Sequence, residues 1–140
     1  MRFEAINPGP ALTSAALDAY CGEHGLVLPD LLRSQLLDQN GGAPTAEVLV
    51  PLPHGDETDL FSLFGLNMQD PSSELAWVVK TFAGRIPAGL FPFANDSLGN
   101  LFLLDKNDLV WFWDHEQEGS SRAAQPMNEL LDRFLQPLRM

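Results

Sequence analysis

Two apolar runs joined by a short polar turn constrain the fold of this chain most. Leu101–Leu104 is followed by the polar residues 105–108 and then by the apolar run 109–113. A connection of four residues pairs its strands antiparallel, since parallel neighbours need a crossover of about a dozen residues or more. A third apolar run, 90–94, leads into this pair through another turn. The sequence therefore predicts an antiparallel sheet at the centre of the fold.

Two helices are predicted before this sheet. The first has Thr13 or Ser14 as its N-terminal cap and runs toward Gly25. The second begins near Pro29, whose missing N–H costs nothing in a first helical turn, and ends at the 40–42 Asn-Gly-Gly stop signal.

The remaining segments mix strand and helix patterns. Alternating apolar residues predict one strand over 47–52, and at 58–66 they favour a second strand over the alternative of a short helix. Helical spacing predicts a third helix over 74–83 and a last helix over 127–138, which follows a loop at 115–125. Helices therefore flank a β-rich centre.

Size and charge limit the function classes. The chain has 140 residues, the usual size of one domain, and carries 19 acidic against 8 basic side chains for a net charge of -11. Such a surface repels nucleic acid and anionic membranes. The lone Cys21 forms no internal disulfide, and neither a membrane-spanning run nor a secretory signal is seen. We therefore expect a cytoplasmic protein.

Motifs for catalysis or cofactor binding are not found. The sequence lacks G-x-S-x-G, zinc-ligand spacing and phosphate-binding glycine loops, so no cofactor and no metal are predicted. The 105–108 segment begins like a calcium loop but is better explained as a hairpin turn. Cys21 is expected to be a small buried hydrophobe rather than a nucleophile. A small hydrolase using Asp96, Asp105 and Asp114 stays open, because sequence alone does not place these carboxylates relative to one another.

Acidic residues are unevenly distributed. From Ser34 through Val79 there are seven acids and no lysine or arginine, and 105–118 adds five acids against one lysine. Such a field steers a basic partner toward the protein. The alternative is that acidity only maintains solubility.

Aromatic residues lie beside these acids. In the run 110–114 the strand period places Trp111 and Trp113 on one face, and Val110 and Phe112 on the other. We expect one face to stay partly open with tryptophan as an interface anchor, while core packing beneath a helix accounts for at least one of the two.

Four short motifs, taken in order, carry a family resemblance. They are L-P-x-x-L at 28–32, N-G-G at 40–42, P-F-A-x-D-x-x-G at 92–99 and D-H-E at 114–116. With this combination the chain resembles the SUKH superfamily over about 15–138. That superfamily includes bacterial immunity proteins and a fungal cell-wall assembly regulator.

The resemblance implies an α+β single domain with N-terminal helices, a twisted, mostly antiparallel sheet and a C-terminal helix packed on it. It also implies no catalytic centre and, for many bacterial members, neutralisation of a cognate toxin, often a nuclease, by direct binding. One departure is that Asn100 stands where the family's pattern usually has aspartate.

We therefore predict a non-enzymatic protein, an immunity protein whose partner is a basic toxin domain. The alternative is a regulatory or adaptor module with a partner that is not a toxin. The predicted partner-binding residues are Asp96, Asp105, Asp108, Trp111, Trp113, Asp114, Glu116 and Glu118.

Overall fold

A five-stranded antiparallel sheet forms the centre of the structure, a computed structural model that describes residues 5–52, 56–117 and 124–126. The strands of the described residues are β1 (Ala5–Ile6), β2 (Ala43–Pro44), β3 (Leu49–Pro51), β4 (Glu57–Asp59), β5 (Ser62–Leu63), β6 (Phe91–Asn95), β7 (Leu101–Leu104), β8 (Val110–Trp113) and β9 (Ala124–Pro126). The strand order of the central sheet is β5-β6-β7-β8-β9, so each strand pairs with its neighbours in sequence. Two short antiparallel ribbons, β1–β2 and β3–β4, accompany the sheet.

Three α-helices complete this part of the chain, which confirms the α+β class. They are α1 (Ser14–His24), α2 (Asp30–Asp38) and α3 (Leu75–Phe82). The Thr13 hydroxyl caps α1 by accepting a 3.1 Å hydrogen bond from the Ala16 N–H, and Gly25 ends the helix in the left-handed conformation, with φ 66°. None of the helices in the described stretches is long and apolar enough to cross a membrane.

The Asn-Gly-Gly stop after α2 also joins distant segments. The buried Asn40 side chain donates to the carbonyl oxygens of Pro10 at 2.9 Å and Leu66 at 2.8 Å. Its Oδ1 accepts a 2.8 Å bond from the Leu66 N–H. Gly41 and Gly42 follow with φ angles of 67° and 113°, which L side chains rarely adopt. Because Asn40 satisfies three backbone groups, this motif fixes where the chain passes beside the sheet.

The predicted hairpin is confirmed. β7 and β8 pair in the register Leu101 to Trp113 and Leu104 to Val110. The turn closes with a 3.0 Å bond from the Asp105 N–H to the Leu109 carbonyl oxygen.

The single strand predicted over 58–66 is wrong, because the chain changes neighbours there. The Leu60 N–H donates to the Val48 carbonyl, whereas the next N–H, of Phe61, donates to the Asn95 carbonyl. The segment is therefore divided between β4, in a ribbon with β3, and β5, at the edge of the central sheet.

The loop predicted over 115–125 is also partly wrong. His115–Gln117 forms a turn of 3₁₀ helix, and β9 pairs with β8 at the far end of the segment. The C-terminal helix predicted over 127–138 lies outside the described residues.

Both faces of the β7–β8 hairpin are covered except at Trp111, so the expectation of a partly open face holds at that residue alone among the eight residues of the two strands. All four residues of β7 are buried, and in β8 only Trp111 is partly exposed. The Trp113 ring lies beneath α3 and meets Phe82 edge to face, with ring centroids 5.7 Å apart. On the other face, the Phe102 and Phe112 rings are 5.6 Å apart.

Candidate functional site

Two turns of the same construction lie at opposite ends of β7. In the 96–100 turn, Asp96 Oδ1 accepts hydrogen bonds from the N–H groups two and four residues later, at 3.0 Å and 2.8 Å. In the 105–109 turn, Asp105 Oδ1 does the same at 2.8 Å and 3.0 Å. An aspartate that bonds its own downstream backbone organises a turn without help from the sheet. These carboxylates therefore shape the two ends of the hairpin.

The fourth residue of each turn is in the left-handed region. It is Gly99, with φ 88°, in the first turn and Asp108, with φ 64°, in the second. Glycine adopts this conformation freely, and aspartate is among the few residues that tolerate it. Asp108 is exposed at the tip of its turn, so its carboxylate is available to a partner.

Asp96 is buried, with 1% of its surface exposed, so its predicted contact with a partner is wrong. Its Oδ2 accepts hydrogen bonds from Thr58 Oγ1 at 2.7 Å and from Asn100 Nδ2 at 3.0 Å. A buried carboxylate requires such partners. Asp96 therefore holds the turn against β4 rather than binding another protein.

Asn100 is buried and forms hydrogen bonds with both Asp96 and His115. Its amide group donates to Asp96, and its Oδ1 accepts from the His115 N–H at 3.2 Å and lies 2.6 Å from His115 Nδ1. Since Oδ1 is an acceptor, this contact assigns the proton to Nδ1. An aspartate here would place a second carboxylate against Asp96, whereas asparagine supplies the donor that Asp96 needs. Asn100 thereby ties the turn to the segment after β8.

These contacts build a surface that we call the loop end, made of Asp59, Leu98, Asp114 and Glu116. Leu98 is 71% exposed at the tip of the 96–100 turn. On one side Asp59 Oδ1 accepts bonds from the Ser97 N–H at 2.9 Å and the Ser97 hydroxyl at 3.0 Å. On the other side the chain continues past His115 to Glu116, whose N–H donates to Asp114 Oδ1 at 2.9 Å. The loop end is thus an exposed apolar side chain with acids on both sides.

The opposite end of the sheet carries a second surface, which we call the hairpin-end groove. It has a volume of about 510 Å³ and lies between the α1–α2 link and the 105–109 turn. Asp30, Asp105 and Asp108 line it together with Lys106 and the 89% exposed Val27. The groove therefore combines apolar surface with a net negative charge.

Trp111 adjoins this groove and is tied to Asp105. Its Nε1 donates a 2.9 Å hydrogen bond to Asp105 Oδ2. Burial alone would raise the pKa of Asp105, but the hydrogen bonds from Trp111, Leu109 and Asn107, together with Lys106, lower it. Asp105 therefore stays charged beside a partly exposed indole.

The predicted residues do not form one surface. Asp105, Asp108 and Trp111 lie at the hairpin end, while Asp114 and Glu116 lie at the loop end, about 13 Å away along a four-residue strand. Trp113 is fully buried under α3, so its predicted role as a partner anchor is wrong and its predicted core role is confirmed. Glu118 lies outside the described residues.

The apolar anchors at these surfaces were missed by sequence reasoning. Leu98 and Val27 replace Trp113 as the exposed apolar side chains beside the acids. Leu98 did carry a signal, because a leucine inside a polar turn has no strand or helix face to bury it. Val27 carried none, because nothing in the apolar link 25–29 tells which of its side chains reach solvent.

Groups suited to catalysis do not converge in the described part of the chain. Asp96 and Asp114 lie at one end of the sheet and Asp105 at the other, and the residues described include no group of three His, Cys, Asp or Glu that would hold a metal ion. Burial raises the pKa of the Cys21 thiol, which is opposite to the shift that activates a cysteine nucleophile.

Acidic surfaces that expose apolar side chains are suited to contact with another protein. The chain belongs to the SMI1 / KNR4 family (SUKH-1), whose family model matches residues 11–133. The match confirms the resemblance seen in the four sequence motifs. A search of curated proteins and a search of solved structures each gave no significant match.

Proposed function

We propose that this protein is an immunity protein that neutralises a basic toxin domain by direct binding, without catalysis. The observation that carries the proposal is the loop end, where Leu98 stands exposed between Asp59, Asp114 and Glu116. Membership of SUKH-1 supports a protein partner. The hairpin-end groove is a second, separate acidic surface at the other end of the sheet.

A rigid turn favours tight binding at the loop end. The Asp96 network holds the backbone of Leu98 in place before any partner arrives, because Asp96 Oδ1 accepts the Leu98 N–H. A preorganised segment loses less conformational entropy on association. Leu98 therefore acts as the apolar anchor that slows dissociation.

Charge favours a basic partner. The net charge of -11 repels nucleic acid, and toxins that cleave nucleic acid carry basic surfaces for that substrate. Complementary charge speeds association toward about 10⁸ M⁻¹s⁻¹ at low salt. We therefore expect the association rate to fall as ionic strength rises, and a rate that stays flat contradicts the electrostatic part of the proposal.

The decisive experiment is co-expression with a toxic gene product encoded in the same neighbourhood, scored for survival. The wild type should rescue growth, and Leu98→Ser/Glu116→Lys should not. A matched control, Trp77→Ser/Glu23→Lys, changes an exposed apolar side chain on α3 and an exposed glutamate on α1, both away from the loop end, and should rescue. Equal rescue by both double variants contradicts the proposed site, and no rescue by the wild type contradicts that toxin as the partner.

The second candidate is an adaptor with a partner that is not a toxin. It is favoured by the separation of the loop end from the hairpin-end groove, because two surfaces at opposite ends of a sheet allow two proteins to bind at once. This function predicts a stable cellular complex without any toxin, to be detected by affinity purification with mass spectrometry. A complex that Val27→Ser disrupts and Leu98→Ser leaves intact assigns that partner to the groove.

A further inference from the structure

A third surface, away from the predicted site residues, carries a separate inference. A groove of about 470 Å³ runs between the β1–β2 ribbon and the segment that leads into β5. Pockets that hold small ligands measure roughly 300–1,000 Å³, so this groove holds a few residues of a peptide and not a folded domain. We call it the Ile6–Phe61 groove after the two large apolar side chains of its lining that are most exposed.

Its apolar lining is unusually exposed. Ile6 and Phe61 are each 52% exposed, and Met68 adds a flexible side chain to the lining. Single exposed apolar side chains are common, but two large ones in one groove are a feature of interaction sites.

Its charge is of one sign. Glu47, Asp59 and Asp70 line the groove, and no lysine, arginine or histidine is among the described residues that do so. These carboxylates do not form a metal-binding group. Each of them is therefore suited to bind its own cationic group, rather than all of them binding one ion. The lining therefore matches an occupant with spaced cationic groups.

Two of these carboxylates are held in place. Ser97 donates two hydrogen bonds to Asp59 Oδ1, and Ser72 donates two to Asp70 Oδ1, at 2.9 Å and 2.7 Å. Within the described part of the chain, their Oδ2 atoms accept none. The hydroxyl and N–H of Ser72 lower the pKa of Asp70, so it stays ionised. Fixed acceptors reduce the entropy lost when a cation is bound.

We propose that the Ile6–Phe61 groove docks a short extended segment of a protein partner in which aliphatic or aromatic side chains are flanked by lysine or arginine. The apolar side chains contact Ile6 and Phe61, and the flanking cations contact the carboxylates around the rim. This inference does not depend on the partner being a toxin, because the groove lies outside both surfaces of the proposed function except for the shared Asp59.

The test uses the full chain and a labelled peptide with a central leucine pair flanked by lysines. Binding is measured by fluorescence anisotropy and located by NMR chemical-shift changes on the isotope-labelled protein. Two comparison peptides replace the lysines with glutamate or the leucines with serine. We expect the basic, apolar peptide to bind at residues of the groove and both comparison peptides to bind at least about fivefold more weakly.

Matched variants separate the groove from general acidity. Phe61→Ser should weaken binding of the basic, apolar peptide by at least about fivefold, and Glu47→Lys by roughly threefold to tenfold. The controls Trp77→Ser and Glu57→Lys remove an exposed aromatic side chain and reverse an exposed glutamate outside the groove, and they should leave binding within about twofold. Circular dichroism verifies the fold of each variant.

Three results would overturn the proposal. One is equal binding by the wild type and both groove variants, and another is equal binding of the serine-substituted peptide. The third is a dimer of the protein that Phe61→Ser dissociates, since the occupant would then be a second copy of this chain.

Discussion

Trp111 Nε1 donates a 2.9 Å hydrogen bond to Oδ2 of Asp105, the residue that begins the turn between β7 and β8. The other oxygen of the same carboxylate accepts two backbone N–H groups of that turn. Sequence patterns assigned both Asp105 and Trp111 to partner binding. In the structure the two side chains are bound to each other. This arrangement holds a charged group and an indole at fixed positions beside the hairpin-end groove.

The Asp105 interaction predicts an acid-dependent loss of stability. Its folded pKa is lowered, so its contribution is present above the unfolded value of about 3.9 and is lost as pH falls through the folded value. The unfolding free energy of Asp105→Asn should therefore fall less than that of the wild type below about pH 4. Urea denaturation across a pH series measures this. Asp108→Asn, in the same turn but without these bonds, should follow the wild type, and an unchanged slope in Asp105→Asn contradicts the prediction.

Asp96 should be the most costly acid to remove. Asp96→Ala leaves the Leu98 and Asn100 N–H groups and the Thr58 hydroxyl without their acceptor in a site that is 1% exposed. Leaving buried donors unsatisfied costs about 1–3 kcal/mol each before relaxation, so we expect a loss of about 2–4 kcal/mol in unfolding free energy. Chemical denaturation measures it against Glu57→Ala, an exposed acid that should change stability by less than about 0.5 kcal/mol. Equal effects of the two substitutions would show that the Asp96 network contributes little.

The left-handed residue of each turn can be exchanged to test how much that conformation costs. Removing the glycine of the first turn should lower stability, whereas introducing a glycine in the second should not. Gly99→Ala places a Cβ on a residue with φ 88° and should lower stability by about 1–2 kcal/mol. Asp108→Gly relieves the same left-handed conformation at φ 64° and should not lower the melting temperature. The Cβ at position 99 would lie 3.6 Å from the His115 ring, so conformation and not collision causes the loss. Thermal melts of both variants measure these changes. A lower melting temperature of Asp108→Gly would contradict the prediction that the left-handed conformation at position 108 is relieved by glycine.

The hydrogen bonds of Tyr20 should make the stability of the protein depend on pH in the alkaline range. Its hydroxyl donates to Glu74 Oε2 at 2.7 Å and accepts from the Ala76 N–H at 3.0 Å, which joins α1 to the start of α3. Burial and the Glu74 hydrogen bond raise its pKa, so its contribution is complete below the unfolded value of about 10 and is lost at higher pH.

Tyr20→Phe should therefore be about 1–2 kcal/mol less stable than the wild type at neutral pH, and the gap should narrow above pH 10. As Tyr20 is the only tyrosine of the chain, phenolate absorbance follows its titration directly. Stability profiles that stay parallel above that pH would disprove the link.

Local patterns were sufficient for the hairpin and the helix ends. A polar connection of four residues forces antiparallel pairing, and Thr13, Gly25 and the 40–42 stop signal act through their own backbone neighbours. The same reasoning gave a wrong prediction for the segment 58–66. Its alternation of apolar and polar residues continues, while its backbone hydrogen-bond partner changes from Val48 to Asn95. A pattern that depends on neighbours distant in sequence is not visible in the segment itself.

The sequence predicts the types of residue that form the candidate site, but not which of them reach the surface. The charge bias and the D-x-x-G and D-H-E motifs correctly mark the turns, yet they do not tell that Asp96 faces inward while Leu98 faces solvent. Burial of the Asp96 carboxylate depends on donors that include the Thr58 hydroxyl, which comes from another ribbon and offsets part of the cost of removing the charge from water.

By itself, the sequence determined the family, the antiparallel hairpin, the helix caps and the excess of negative charge, because each of these depends on composition or on residues close along the chain. Only the tertiary structure decided which acids and aromatic residues reach the surface. Trp111 and Trp113 share a face of one strand, but α3 covers Trp113 with Phe82, and Asp105 holds Trp111 at the open end. Burial depends on what packs from elsewhere, so residues with the same local pattern have different roles.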